Sequence, residues 1–96
     1  MPTPARDACV HAIAVLGVDP DTAEIGQFLM QLRRPQGLPE VNTYRTLERA
    51  VVASPHLVER AGRRQENGRM RWRLTEAGRA RAAAHNYGGE VADHGR

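Results

Sequence analysis

The 96-residue chain predicts a small, mainly α fold with one β-hairpin close to its C-terminal end. Three observations carry that expectation. Apolar residues make up 41% of the chain, but they include only one Trp, one Phe and two Tyr. Aliphatic and Ala packing must therefore build the core, which favours helices over a β-sandwich. Apolar residues recur at helical spacing in three successive segments, and the period then changes to two on either side of an Asn-Gly pair. The length leaves room for one domain, expected over residues 1–85, with a polar, Gly-containing disordered tail over 86–96.

The first helical pattern runs over 4–17. Cys9, Ile13 and Leu16 recur at i, i+4 and i+7, Val10 and Ala14 lie beside them, and Gly17 supplies a C-terminal stop. Val18-Asp19-Pro20 reads as a connector. Asp21 followed by Glu24 has the spacing of a capping box, in which each side chain satisfies a free backbone N–H of the other. The helix opened there carries Ile25, Phe28, Leu29 and Leu32 on one face and closes at Arg33-Arg34-Pro35. Gln36-Gly37-Leu38-Pro39 is long enough only for a turn.

A third helix is expected over 39–53, with Pro39 in the first turn, where its missing N–H costs nothing. With Val41 set at zero and 100° per residue, Tyr44, Leu47 and Val51 fall within about 60° of one another and form the core face. Asn42, Arg45, Thr46 and Arg49 occupy the opposite arc, and Ser54-Pro55 ends the helix. A strand follows over 57–63. Met70, Trp72 and Leu74 then alternate with Arg69, Arg71 and Arg73, so that one hairpin face is apolar and the other carries guanidinium groups, joined by Arg63 and Arg64 of the partner strand. Between the strands, Gln65-Glu66-Asn67-Gly68 contains the Asn-Gly turn signal. Thr75 caps a last helix from Glu76 to about residue 85.

Charge is distributed unevenly. The net charge is +3, but residues 1–30 carry −3 and residues 31–81 carry +7, with twelve Arg against five Glu. Every basic residue is Arg. Guanidinium groups bind phosphate and guanine edges in bidentate fashion, so the basic middle of the chain points to an anionic partner. No apolar stretch reaches the roughly 18–20 residues a membrane span requires, and residues 1–7 lack the order of a secretory signal. Cys9 is the one cysteine; it lies on the apolar phase of the first helix and reads as a buried, inert thiol. His11, His56, His85 and His94 are scattered, and none has a partner at catalytic or metal-ligand spacing. Neither an enzyme nor a cofactor or metal is expected, and the chain reads as a cytoplasmic, nucleoid-associated domain.

Helix, turn, helix, then a third polar-faced helix, a basic hairpin and a short C-terminal helix is the order of a winged helix-turn-helix. Asn42-Thr43-Tyr44-Arg45-Thr46-Leu47-Glu48-Arg49 also resembles the recognition helix of PadR-like bacterial transcriptional regulators. His56-Leu57-Val58-Glu59-Arg60 resembles the start of their wing. Trp72-Arg73-Leu74-Thr75-Glu76-Ala77-Gly78-Arg79 is similar to the wing-exit signature shared by PadR-like and MarR-like proteins. The resemblance covers roughly 4–85 and implies sequence-specific binding of double-stranded DNA in transcriptional control. It departs from the family in two places. Ser54-Pro55-His56 stands where a Gly usually precedes the wing, and the residues after Thr75 are too few for the long terminal helices of those dimers.

Asn42, Arg45, Thr46 and Arg49 are accordingly the candidate groove-facing set, because Arg can take both acceptors of guanine and Asn both edges of adenine. Thr43 is placed at a first-turn phosphate. Arg63, Arg64, Arg69, Arg71 and Arg73 are the candidate wing contacts to phosphate or the minor groove, and Trp72 is expected to anchor the hairpin to the body. The first and last helices are the candidate surfaces for a homodimer. An alternative function keeps the fold as a protein-interaction or DNA-docking module of a replication, partition or mobile-element assembly. In that reading the acidic first helix faces the partner through Cys9, Ala12 and Val15.

Overall fold

Four α-helices and a two-stranded antiparallel hairpin make up the fold, in a computed structural model that describes residues 4–85. The tail expected over 86–96 lies outside the described residues. Helix α1 spans Ala5–Leu16 and stops at Gly17, whose N–H donates to the Ile13 carbonyl at 3.0 Å and whose φ of 82° turns the following chain out of the helix. Helix α2 spans Thr22–Arg33 behind the expected capping box: Glu24 N donates to Asp21 Oδ1, and Asp21 N to Glu24 Oε1, both at 2.9 Å. A short 3-10 turn, Arg34–Gln36, follows it.

Helix α3 spans Thr43–Val52, four residues shorter at its start than the pattern predicts. Pro39 is not in its first turn. Asn42 is the N-cap, its side-chain oxygen accepting from Arg45 N at 3.1 Å. An Asn side chain can satisfy a free helix N–H directly, whereas a Pro at the first position only avoids wasting one. The residues before the cap stay outside the helix, and Arg33 Nε donates to the Pro39 carbonyl at 3.3 Å.

Strands β1, Val58–Arg63, and β2, Met70–Leu74, pair Val58 with Leu74, Glu59 with Arg73, Arg60 with Trp72 and Arg63 with Met70. The register slips between Arg60 and Arg63, where Gly62 adopts φ 93°. Such a bulge puts residues on one face that strict alternation would place on opposite faces. The turn is wider than a two-residue Asn-Gly hairpin. Arg64 N donates to the Arg69 carbonyl and Gly68 N to the Arg64 carbonyl, each at 2.9 Å, and the positive φ is taken by Gly68. The α1–α2 connector is not a passive link: the Pro20 carbonyl accepts from Trp72 N at 2.9 Å, and Asp21 bridges to Arg71 on the free edge of β2.

Trp72, Ile25, Leu47, Leu57, Val10, Val58 and Cys9 are completely or almost completely buried and form the centre of the core. Trp72 anchors the hairpin as expected. Its indole N–H donates to Thr22 Oγ1 at 2.9 Å, and the Tyr44 ring meets it edge-on at 6.0 Å between centroids. The core face of α3 differs from the expected one: Leu47 and Ala50 are buried, while Tyr44 lies at the rim, 41% exposed. On α1 the buried stripe stops at Ile13, leaving Val15, Leu16 and the following Val18 exposed.

Helix α4, Glu76–His85, starts at Thr75, whose Oγ1 accepts from Gly78 N at 3.0 Å and donates to the His56 carbonyl at 2.6 Å. A bidentate pair from Arg81 to Asp7, at 2.8 and 3.1 Å, ties α4 to α1. Among the described residues, no helix is long and apolar enough to cross a membrane.

Candidate nucleic-acid interface

The outward face of α3 presents Arg45 and Arg49, one helical turn apart and both exposed. Among the described residues, neither guanidinium is engaged in a hydrogen bond or ion pair. Thr46 is half-buried beside them. Thr43 is also half-buried, packed so closely on α2 that a Cβ at Gly26 would lie 3.2 Å from its Oγ1. Asn42 is exposed at the start of α3, and its side-chain oxygen already accepts one hydrogen bond there as the N-cap.

The hairpin does not present its Arg residues as a single row. Residues paired across a ladder share a face, so Arg60 lies on the face of Trp72, and Arg63 on that of Met70. This is the side turned toward α3: Arg60 Nη2 is 3.4 Å from Glu48 Oε2, and its guanidinium lies 6.0 Å from the centroid of the Trp72 ring. The bulge is what brings Arg63 to the same face as Arg60. Arg73, paired with Glu59, is on the opposite face and points to Asp19 of the connector at 3.7 Å. Arg71 alternates with Trp72 and is half-buried, its Nη2 donating to the Ala61 carbonyl at 3.2 Å within the bulge.

Arg64 serves the fold. Its Nε donates to Asp21 Oδ2 at 2.9 Å and its Nη2 to Glu24 Oε1 at 2.6 Å, clamping the hairpin turn onto the capping box of α2. Burial pushes the Asp21 carboxyl up, but the Glu24 amide and the Arg64 guanidinium outweigh it and hold the carboxyl below the ordinary range. The hydrogen bonds to Glu24 and Asp21 in turn raise the Arg64 guanidinium above its ordinary value. At the hairpin tip Arg69 is exposed, and Arg63 Nη1 donates to the Gly68 carbonyl at 2.8 Å.

The structure therefore brings Arg60 against Glu48 of α3, the helix that exposes Arg45 and Arg49, puts Arg63 on the same hairpin face as Arg60 and Arg69 at the tip, and engages Arg64, Arg71 and Arg73 elsewhere. Sequence reasoning missed Arg60. Its position in phase with Val58, ahead of the Gly62 that allows the bulge, is a local hint, but the strand register decides which face it occupies. The thiol of Cys9 is buried, as expected, and burial pushes it up to about 12. Cys9 and Ala12 are both fully buried, so the contact surface expected on α1 reduces to Val15 and its neighbours. Compared with known protein families, with curated proteins and with solved structures, the chain matches none.

Proposed function

We propose that this chain is a winged helix-turn-helix that binds double-stranded DNA, most directly as a transcriptional regulator. Helix α3 enters the major groove, and the hairpin lies along the adjacent backbone or minor groove. The observation that carries the reading is the pair of exposed, unengaged guanidinium groups of Arg45 and Arg49, on the helix that Arg60 of the hairpin meets at Glu48. Major-groove width admits one helix, and guanidinium groups one turn apart can each meet a guanine edge or a phosphate. The pairing of the α1–α2 connector with β2 supports the reading further, because it fixes the hairpin rigidly next to α2 and α3.

Selection of binding sites from a random duplex pool at two salt concentrations tests the proposal. An enriched motif is expected, with log K falling against log salt at a slope of about −3.6 if about four phosphates are neutralised. Arg49→Ala should lose about 1–3 kcal/mol on the selected site and relax its base preference. Absence of any enriched motif would remove the sequence-specific reading.

One observation favours the second reading, a module docking on a protein partner. Val15, Leu16 and Val18 are exposed together at the end of α1, and Val18 is 92% exposed. DNA binding that requires a second protein, with no site preferred by the chain alone, would support that role.

A further inference from the structure

A groove of about 650 Å³ runs between α2 and segment 37–41. Its floor is apolar, and polar side chains, Gln27, Arg33, Arg34 and Glu40, join its walls. Leu29 is buried beneath it, Leu38 and Val41 close one side, and Met30 lies open along it at 43% exposure. Its size lies in the range of small-molecule sites, which are typically about 300–1,000 Å³. The fold creates it for an identifiable reason. Because α3 begins at Thr43 rather than Pro39, the residues before it stay outside the helix and run alongside α2, with Arg33 Nε bridging to the Pro39 carbonyl.

The charge at one end of the groove is cationic. Arg33 and Arg34 both line it, together with Glu40. The Arg34 side chain is 68% exposed, its Nη2 lying 2.8 Å from Met30 Sδ and 3.9 Å from Glu40 Oε1. A guanidinium set at the mouth of an apolar slot complements a molecule with an apolar body and an anionic end. We propose that the groove between α2 and segment 37–41 is a binding site for a small apolar molecule carrying one anionic group. Such a molecule touches Val41, next to the Asn42 cap, so its occupancy is linked to the start of α3. The assignment stands whether or not the chain binds DNA.

Two fluorescent probes of nearly the same shape test it. 8-Anilinonaphthalene-1-sulfonate carries the anion; N-phenyl-1-naphthylamine lacks it. The wild-type chain should bind one sulfonate probe with a dissociation constant on the order of tens of micromolar. It should bind the neutral probe about fivefold more weakly, as expected for one partly exposed charge pair. Arg34→Ala should abolish that preference while leaving the neutral probe unchanged. Ala23→Trp, at an exposed position of α2 that lines the groove, should weaken both probes about tenfold or more without altering the far-UV circular dichroism. Equal binding of the two probes by the wild type, a preference that survives Arg34→Ala, or sulfonate binding unaffected by Ala23→Trp would each overturn the proposal. So would the absence of binding.

Discussion

Gly78→Ala sets two local rules against each other. Gly78 lies in the first turn of α4, and helix propensity alone predicts that Ala would stabilise that helix by up to about 1 kcal/mol. The packing predicts the reverse. A Cβ built on Gly78 runs into the Leu57 carbonyl oxygen, with the Leu57 carbonyl carbon at 3.0 Å and Leu74 Cβ at 3.3 Å. That oxygen belongs to backbone and cannot turn aside. It also accepts from Thr75 N at 3.0 Å, next to the bond from Thr75 Oγ1 to the His56 carbonyl at 2.6 Å. To admit the methyl group, α4 must move off the start of β1 by roughly an ångström, straining both bonds. Overpacking costs about 1–3 kcal/mol and each weakened hydrogen bond about 1 kcal/mol, against the propensity gain of about 1 kcal/mol. The net expectation is a loss of about 2–4 kcal/mol, or a Tm lower by roughly 10–30 °C for a domain of this size. Thermal and urea unfolding followed by circular dichroism measure it. Ala80→Gly, exposed on the same helix, calibrates propensity alone and should cost about 1 kcal/mol. A Gly78→Ala chain as stable as the wild type, or more so, would refute the close approach of α4 to Leu57.

Three other expectations follow from the same geometry. The Asp21 carboxyl is held below its ordinary range in the folded chain, so its contribution to stability is fully present above the unfolded value of about 3.9 and is lost as pH falls through the folded value. Asp21→Asn keeps a capping side chain but lacks that charge; its deficit in urea midpoint should be clear at pH 7 and shrink on acidification, and a deficit independent of pH would contradict the assignment. In DNA binding by fluorescence anisotropy, Arg60→Ala should lower affinity about two- to tenfold, whereas Arg73→Ala, on the opposite hairpin face, should change it less than twofold; the reverse order would mean that the other face meets DNA. The Cys9 thiol, pushed up to about 12 by burial, should react with a thiol reagent at pH 8 only as fast as the chain opens, so labelling should accelerate in parallel with unfolding by urea.

Where the deciding interaction is local, the sequence was sufficient. Asp21 and Glu24 are three residues apart and close a capping box within one turn, and Gly17 can adopt the positive φ that ends α1. The alternation of Met70, Trp72 and Leu74 with Arg residues marks β2 and its buried face. The period of α3 correctly turned Arg45 and Arg49 outward. Its start was misjudged because Pro39 and Asn42 both satisfy local rules for a helix start, and the choice depends on how segment 37–41 packs against α2.

Tertiary structure decided the use of the remaining cations. Arg63, Arg64, Arg69, Arg71 and Arg73 look equivalent in the sequence, yet Arg64 is bound to carboxylates 40 and 43 residues away, and Arg73 reaches back to Asp19. Arg60 meets α3 because its pairing with Trp72 puts it on the face turned to Glu48, and Arg63 shares that face only because of the bulge between them. Side-chain spacing along a chain records periodicity, and periodicity assigns a residue to a helix face or a strand face. Which carboxylate, carbonyl or neighbouring helix that face then meets depends on strand register and chain crossing, and these are settled by contacts between residues far apart in sequence.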